Sequence, residues 1–398
     1  MKYAVVILDG AAGWPLKQFG EKTSLEHAHT PYLDLLAREG LSGLVHNVPE
    51  GMEPSSNVAC TSIMGYDPAE FPIGRGAIEG ASCGIELAED EVALRLNLVN
   101  INDEGLMHSY SAGDLTTEQG NAIIEELKVL DDDTFTLYPS VSFRGILVVK
   151  GHPELNCGTY YAAHNISDTP IADKWPSGPG TDFICDYMKR ANELLKTSKM
   201  NASREERGLL RATNTWIFWP GMRPNNMPSF NEKYGVNAGM LSAVDLLNGL
   251  AKLTGVRRYS FDGITDAADN DYNAMGKGAI EMLNNEDLVF IHVENPDTEG
   301  HNGDAKEKVK SIEQVDECIL RRLKEWADSH PDQQLRTLVL PDHPTPIKLK
   351  THCNEPVPFV LNGDGFEANE GERLTEAEAA KSNLEYMHGC ELMSMLLR

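Results

Sequence analysis

The chain has 398 residues, more than one hydrophobic core usually serves, so two domains are expected. Its hydrophobic fraction of 41% and charged fraction of 24% are those of an ordinary globular protein. The formal net charge of −26 disfavours nucleic acid and anionic membranes as partners, because both are themselves negatively charged. An acidic protein that handles phosphorylated metabolites needs a locally positive site, made by metal ions or by a few arginines and lysines.

Two further features of the sequence favour a cytoplasmic protein. No apolar run approaches the roughly 18 residues that a membrane helix needs, and the N-terminal run MKYAVVILDG has no small-residue cleavage site of a signal peptide. The seven cysteines are scattered, odd in number and without a C-x-x-C pair. This pattern indicates free thiols rather than a disulfide framework or a zinc-thiolate site.

The first predicted strand is the apolar run YAVVIL, residues 3–8, which ends at Asp9. Short apolar runs without alternation are typical of strands buried on both faces of a parallel sheet. In such sheets ligands bind beyond the carboxyl ends of the strands, so Asp9 is a candidate site residue.

Two adjacent serines, Ser55 and Ser56, precede a predicted helix in the segment EPSSNVACTSIMGYDP. A serine in this position most often caps the helix. It also faces the positive end of the helix dipole, where backbone N–H groups bind phosphate. Coordination to a metal ion would activate such a serine for attack on phosphorus.

The middle of the chain has a different sequence pattern. Short apolar runs such as FTLYP, GILVV and NTWIFW alternate there with turn-rich and charged stretches. Residues 196–208 are predicted to form an exposed loop or a helix end. The economical interpretation is one α/β domain formed by residues 1–89 and 236–398. A substrate-binding domain of residues 90–235 would be inserted into it.

The α/β pattern then returns, with a strand and a helix predicted over residues 235–256. The run LVFIHV, residues 288–293, leads to Asp297 and His301. Their spacing of i and i+4 places both side chains on one face of a helix. In isolation, Asp297 would be expected to cap that helix and His301 to be solvated.

Helical spacing of apolar residues predicts a helix over residues 305–327. The strand TLVL, residues 337–340, follows and leads, after Pro341, to Asp342 and His343. His352 lies further on, in THCNEPVPFVL, where a histidine considered alone would be a loop residue.

Three predicted strand ends therefore carry acids and imidazoles, which converge on one crevice if the strands are neighbours. Mixed carboxylate and imidazole ligands suit zinc, manganese or iron rather than calcium. Six such groups are enough for two metal ions, the arrangement that clamps a phosphoryl group during in-line displacement. The groups are Asp9, Asp297, His301, Asp342, His343 and His352.

Together these motifs resemble the cofactor-independent phosphoglycerate mutases of the archaeal type, in the alkaline phosphatase superfamily. The likeness rests on LDG at Asp9, SSNVACTSIMGYDP, NPDTEGH, PDH and THCNEPVPF, and it extends over nearly the whole chain through segments such as GRGAIEGASCGI and NDYNAMGK. It implies an α/β fold with a mostly parallel central sheet, flanking helices and a second, smaller α/β domain inserted.

The resemblance also implies the chemistry, which is interconversion of 3-phosphoglycerate and 2-phosphoglycerate. Ser56 would be the nucleophile, forming a phosphoserine and returning the phosphate to the other hydroxyl of bound glycerate, with Ser55 as the alternative if the register is off by one. Two divalent ions are expected, manganese first, with zinc, magnesium or cobalt as alternatives. Their ligands would be Asp9, Ser56, Asp342 and His343 for one ion, and Asp297, His301 and His352 for the other.

Four basic residues lie in segments that match the family and are candidate binders of phosphate or carboxylate. For each of them, a plain surface charge explains the residue about as well. The four are Arg144, Lys277, Arg95 and His164.

Several positions depart from the family pattern. Asn57 follows the proposed nucleophile where the family commonly has an acid. In the predicted inserted domain, Asp114 and Gly145 stand where histidine is usual, and Asn165 stands where aspartate is expected. The segment WPGMRP, residues 219–224, differs from the glycine-rich form of the family. Phosphoryl transfer is therefore a firmer inference than the identity of the substrate.

Two alternatives remain open. One is a phosphatase or phosphotransferase of the same superfamily acting on another small metabolite; a sulfatase is disfavoured because the C/S-x-P-x-R signature is absent. The other is a metal-binding or regulatory protein that has lost catalysis, which the complete set of nucleophile and ligand positions disfavours. The expected partner is a small phosphorylated metabolite, and the sequence does not indicate an oligomeric state.

Overall fold

The structure, a computed structural model, describes residues 1–369 and 371–398. These residues form two compact units. The first unit is built from Met1–Pro72 and Asn226–Arg398, and the second is Ile73–Asn225. All seven cysteines are free, as the sequence predicts.

Both units contain strands and helices, numbered here in chain order. The strands are β1 (Lys2–Leu8), β2 (Leu41–Val45), β3 (Glu91–Ile101), β4 (Met107–Ser109), β5 (Phe135–Pro139), β6 (Arg144–Lys150), β7 (Asn214–Met222), β8 (Ala238–Leu241), β9 (Arg257–Tyr259), β10 (Leu288–Val293), β11 (Leu335–Leu340), β12 (Val357–Asn362) and β13 (Glu385–Tyr386). The α-helices are α1 (Ser24–His27), α2 (Pro31–Glu39), α3 (Ser56–Ile63), α4 (Arg75–Ser82), α5 (Thr117–Leu127), α6 (Thr181–Leu195), α7 (Lys199–Glu206), α8 (Phe230–Tyr234), α9 (Asp245–Leu253), α10 (Tyr272–Asn285), α11 (Asn295–Asn302), α12 (Ala305–Val315), α13 (Arg321–Ser329), α14 (Glu376–Lys381) and α15 (Glu391–Leu396).

Within the described residues, the first unit is built on an eight-stranded sheet of order β13-β2-β12-β11-β1-β10-β8-β9. Strand β1 pairs in parallel with both β10 and β11, and β10 pairs in parallel with β8. Strand β12 is antiparallel to both of its neighbours, β11 and β2. The three strands that lead to the predicted acids are therefore adjacent, and their carboxyl ends open at the same edge of a mostly parallel sheet.

Burial on both faces of the sheet explains why the sequences of these strands do not alternate between apolar and polar residues. Every residue of β10 is buried, and β1 is buried from Ala4 onward. Helix α10 packs on β1, β8 and β10, α2 packs on β12, and α15 packs on β11. Each fully buried large aliphatic side chain stabilises the fold by about 1.5–3 kcal/mol. Across residues 1–369 and 371–398, no helix has both the length and the apolar character required to cross a bilayer.

The second unit has an antiparallel sheet of order β4-β3-β6-β5, with β7 paired to the other side of β3. Helices α5 and α6 pack on β5 and β7. This unit begins before α4, which the sequence interpretation placed in the first domain. The reason is close packing of α4 on β3, where a Cβ on Gly76 would lie 2.1 Å from the carbonyl oxygen of Ala93.

Two predicted segments differ in detail from the structure. The helix predicted over residues 305–327 consists of α12, a π-helical segment at Asp316–Leu320, and α13. The expectation of an exposed loop or helix end over residues 196–208 is only partly confirmed: most of the segment is exposed, but α7 forms there and buries Asn201 and Arg204. The Arg204 guanidinium donates to two backbone carbonyls of the loop before α5.

Candidate metal centre

The carboxyl ends of β1 and β11 bring two buried carboxylates together. Asp9 follows β1, and its backbone N–H donates to the carbonyl of Val293 at 3.0 Å. Asp342 follows β11, and its Oδ1 accepts from the backbone N–H of Gly10 at 3.0 Å and from that of His343 at 2.7 Å. These bonds fix the two loops to each other, so both acids face the same space.

Asp9, Asp342 and His343 form a first group of potential ligands, whose ligand atoms all lie within 4.8 Å of one another. His343 Nε2 lies 3.1 Å from Asp342 Oδ2 and 3.7 Å from Asp9 Oδ1. In the described part of the chain, Asp9 Oδ1 is buried without a hydrogen-bond partner. A buried carboxylate oxygen in that state is costly, and a cation between these three side chains would satisfy it. The donor set therefore fits a divalent metal ion.

Ser56 is the first residue of α3, and its Oγ lies 3.2 Å from His343 Nε2. Ser55 is the N-cap residue but makes no capping hydrogen bond with its side chain. Its Oγ donates instead to the carbonyl of Glu53 at 3.3 Å. Of the two serines, Ser56 therefore has its hydroxyl next to the first ligand group, at the positive end of the helix dipole.

Asp297, His301 and His352 form a second group. Asp297 and His301 lie on α11, where their carboxylate and Nε2 atoms are 3.2 Å apart. His352 Nε2 lies 3.5 Å from the same carboxylate. The helix has Glu294 as its N-cap residue and no side-chain cap, so Asp297 does not act as the cap that its position alone suggested.

The other nitrogen of each imidazole is already bound. His301 Nδ1 lies 3.0 Å from the carbonyl of Lys350, and His352 Nδ1 lies 3.0 Å from the carbonyl of Pro54. Because a carbonyl only accepts, each Nδ1 carries the hydrogen, and each Nε2 in a neutral ring has a free lone pair. Such outer partners are what orient histidines that bind metals.

The two groups are joined through a threonine and a lysine that the sequence did not single out. Thr345 Oγ1 donates to Asp297 Oδ1. Lys308 Nζ donates to the carbonyl of Thr345 at 2.7 Å and to that of Gly10 at 2.6 Å, and the side chain is fully buried. Burial lowers the pKa of Lys308 to about 8. This lysine ties the loop after β1 to the loop after β11.

The carboxyl groups of the centre have pKa values shifted in opposite directions. Burial, together with repulsion from Asp342 and Glu294, raises the pKa of Asp9 well above its usual range. Burial likewise raises the pKa of Glu294 to about 8. Burial would also raise the pKa of Asp297, but hydrogen bonds from His301 and then His352 outweigh it and hold that pKa well below its usual range. Without a cation the first group therefore favours a protonated Asp9, whereas the Asp297 carboxylate of the second group is stabilised by its own histidine donors.

His292 and Glu294 were missed because both lie in or directly after an apolar run. Their ligand atoms and those of Asp9 lie within 4.8 Å of one another. His292 Nε2 is 2.7 Å from Asp9 Oδ2, and burial lowers the pKa of this histidine to about 4. The available signal was a histidine inside a strand that precedes candidate metal ligands.

Three of the four predicted substrate-binding residues lie near one another in the second unit. The Arg95 guanidinium pairs with both carboxylate oxygens of Glu79, at 2.8 and 2.7 Å. Partial burial and the charges of Arg75, Arg95 and Arg144 lower the pKa of His164. Arg144 has a buried Nε without a hydrogen-bond partner among the described residues.

The fourth residue, Lys277, lies on the exposed face of α10 in the first unit. Arg75 was not predicted from the sequence. Its guanidinium carbon lies 3.9 Å from the centre of the Trp219 ring, and Trp219 itself has φ of 51°. Cation–π stacking of this kind holds the planar guanidinium in one orientation.

Two of the departures from the family pattern, Gly145 and Asp114, lie in distinctive local surroundings. A Cβ on Gly145 would lie 2.9 Å from Ile124 Cδ1 and 3.1 Å from the carbonyl oxygen of Tyr138, so a side chain at this position would require these neighbours to shift. Asp114 has φ of 52° and accepts a hydrogen bond from Ser111 Oγ at 2.8 Å.

The whole chain has known relatives. A family model of the metalloenzyme superfamily matches residues 1–398. A protein of Methanothrix thermoacetophila named 2,3-bisphosphoglycerate-independent phosphoglycerate mutase is 39% identical over 397 residues, covering 100% of both chains. A protein of Methanothermobacter thermautotrophicus named 2,3-bisphosphoglycerate-independent phosphoglycerate mutase 2 is 37% identical, covering 100% of this chain and 97% of its own.

Solved structures show the same fold. The PH0037 protein from Pyrococcus horikoshii has a TM-score of 0.84 at 26% identity, covering 100% of this chain and 96% of its own. The cofactor-independent phosphoglycerate mutase from Thermoplasma acidophilum has a TM-score of 0.69 at 23% identity, covering 100% of this chain and 99% of its own.

Proposed function

Because the chain belongs to the metalloenzyme superfamily and, within it, to the 2,3-bisphosphoglycerate-independent phosphoglycerate mutases, we propose that it interconverts 3-phosphoglycerate and 2-phosphoglycerate through a phosphoserine on Ser56. The observation that supports this mechanism most directly is the Ser56 hydroxyl, which lies 3.2 Å from His343 Nε2 at the start of α3. The enzyme is an isomerase that acts as an intramolecular phosphotransferase.

We propose two divalent ions in the centre. When bound, they would neutralise phosphate charge and lower the pKa of the attacking hydroxyl. Manganese suits the mixed carboxylate and imidazole ligands, with zinc, magnesium or cobalt as alternatives. The ligands would be Asp9, Ser56, Asp342 and His343 for one ion, and Asp297, His301 and His352 for the other.

The reaction has two mirrored halves. Ser56 Oγ attacks phosphorus, the Oγ–P bond forms, and the ester bond to glycerate breaks. The Ser56 hydroxyl gives up a proton and the leaving glycerate oxygen gains one. In the second half the other glycerate hydroxyl attacks the phosphoserine, and the proton transfers reverse, so the cycle consumes neither water nor protons.

In the second unit, Arg75, Arg95 and Arg144 gather near His164, which suits the carboxylate or phosphate of a small acid. We propose that this cluster binds glycerate. Lys277 remains a candidate binder on the basis of its matching segment alone. The free thiols are those expected of a protein in a reducing cytoplasm.

One observation favours a second candidate. Gly145 stands where histidine is usual and is closely packed against Ile124 and Tyr138, so the glycerate side differs from the family pattern. If glycerate were held poorly, the phosphoserine would pass to water or to another acceptor, and the protein would be a metal-dependent phosphatase or phosphotransferase.

A single incubation separates the two functions. Manganese-loaded protein is incubated with 3-phosphoglycerate, and 2-phosphoglycerate and free phosphate are followed together. The mutase gives 2-phosphoglycerate with little free phosphate. Absence of 2-phosphoglycerate, together with metal-dependent turnover of other phosphate esters, would reject the mutase in favour of the second candidate.

A further inference from the structure

A chain of hydrogen bonds crosses three neighbouring strands of the main sheet and ends at Asp9. The backbone N–H of Val244 donates to Ser242 Oγ at 3.1 Å. Ser242 Oγ lies 3.1 Å from His292 Nδ1, and His292 Nε2 lies 2.7 Å from Asp9 Oδ2. Ser242 follows β8, His292 is in β10 and Asp9 follows β1, and all three side chains are buried.

The hydrogens in this chain can be assigned from the partners alone. An ionised Asp9 carboxylate only accepts, so His292 Nε2 carries the hydrogen. In a neutral ring Nδ1 then accepts, and the Ser242 hydroxyl is its donor. The Ser242 oxygen is free to accept from Val244, so each group has one consistent role.

This arrangement divides the two oxygens of Asp9 between two tasks. Oδ2 is occupied by His292, whereas Oδ1 is buried without a hydrogen-bond partner in the described part of the chain and lies 3.7 Å from His343 Nε2. A carboxylate held by one oxygen cannot rotate freely about its bond. The oxygen that faces the first ligand group is therefore kept in place.

We propose that His292, oriented by Ser242, is a positioning residue that sets the metal affinity of the first ligand group by holding Asp9. The side chain is not needed to join the strands, because β1 and β10 already pair through their backbones over six residues, from Tyr3↔Leu288 to Leu8↔Val293. Glu294 also lies close to Asp9, but its Oε2 is 4.0 Å from His292 Nε2, beyond hydrogen-bond distance, so it does not hold the imidazole.

The inference rests on the proposed two-ion centre but not on the mutase reaction, so the test measures metal binding without substrate. Metal-free protein is titrated with manganese by calorimetry. The wild type, His292→Leu, His292→Gln and Ser242→Ala are compared. Thr254→Val is the matched control, because the hydroxyl of this buried threonine at the end of α9 donates to carbonyls of its own helix, those of Leu250 and Ala251.

His292→Leu is expected to weaken one of two binding steps by about 10–100-fold and to leave the other unchanged, the usual effect of losing an outer partner of a ligand. His292→Gln should recover most of the loss, because its amide nitrogen can replace Nε2 as donor. Ser242→Ala should weaken the same step less, since the ring loses the partner that keeps its hydrogen on Nε2. In a His301→Ala background, which removes the second site, the remaining step should show the same loss on His292→Leu.

Unchanged affinities in a folded His292→Leu protein that binds two ions would overturn this inference alone. An equal loss in Thr254→Val would also overturn it, because affinity would then follow stability. If His292→Leu does not fold, Ser242→Ala decides, and an unchanged affinity in that variant rejects the proposal. A wild type that binds no manganese would overturn the two-ion centre and the inference together.

Discussion

His301 and His352 face each other through their Nε2 atoms, which lie 2.9 Å apart. Because both Nδ1 atoms donate to backbone carbonyls, two neutral rings would direct two lone pairs into the same space. Such lone pairs repel each other unless a proton or a cation lies between them. The carboxylate of Asp297 completes a site where either can bind, so protons and metal ions compete for it.

Metal removal is therefore expected to destabilise the protein. An ion that binds only the folded state stabilises it by about 2.7 kcal/mol when its free concentration is 100 times its Kd. Removing the ions also leaves the buried carboxylates of Asp9 and Asp342 facing each other. Excess chelator should abolish activity and lower Tm, and added manganese should restore both. Full activity in protein with no measurable metal would contradict the two-ion centre.

Ser56→Ala is expected to reduce phosphoryl transfer by at least about a thousandfold, because it removes the hydroxyl proposed to form the covalent intermediate. Fold and most of the metal binding should persist. Ser55→Ala is the matched control and should keep near-normal turnover, since its hydroxyl bonds to the carbonyl of Glu53. Turnover and intact-mass detection of a phosphorylated protein measure both effects. The opposite result in the two variants would move the nucleophile to Ser55.

Glu294 should make the metal-free protein less stable as pH rises. Burial, followed by repulsion from Asp297, raises its pKa in the folded protein to about 8, against about 4.3 when unfolded. Stability from a raised pKa is complete below the unfolded value and is lost as pH rises through the folded one. Glu294→Gln should therefore gain stability relative to the wild type between pH 5 and pH 8.

Urea unfolding with chelator present, at those two pH values, measures this difference. Glu89→Gln is the control, because Glu89 is exposed and its replacement should leave the pH dependence unchanged. A constant gap between Glu294→Gln and the wild type would show that Glu294 is ionised throughout.

Lys308→Met is expected to destabilise the first unit by about 3 kcal/mol or more. Its Nζ donates to the carbonyls of Gly10, Ala12 and Thr345, and each buried acceptor left unpaired costs about 1–3 kcal/mol. Lys310→Met, on the same helix but 64% exposed, should change the free energy of unfolding by less than about 0.5 kcal/mol. Urea unfolding of the two variants side by side is the measurement, and equal values would show that Lys308 is dispensable.

The sequence predicted the three strand ends and their acids because apolar runs in a parallel sheet leave a strong local pattern. It could not indicate Lys308, which lies among charges in an amphipathic helix and meets Gly10 only through the fold. His292 was not singled out because it lies within an apolar run and contacts Asp9 only in the folded protein. Arg204 was expected to be an exposed charge. The composition of its segment does not show that its guanidinium donates to the backbone carbonyl of Ala112. Contacts between residues distant in the chain explain each of these failures.

The position of β1 has a consequence for how the protein is made. Tyr3 is paired with Leu288 on one side and with Arg336 on the other. Strand β1 is therefore synthesised first but cannot pair until both of these later strands have been made. Residues 73–225 form a contiguous unit and can fold during that interval. The first ligand group joins Asp9 to His343, so a nascent chain cannot assemble it until synthesis is almost finished. Binding of a metal ion at that group would thus be a late event in the synthesis of the chain.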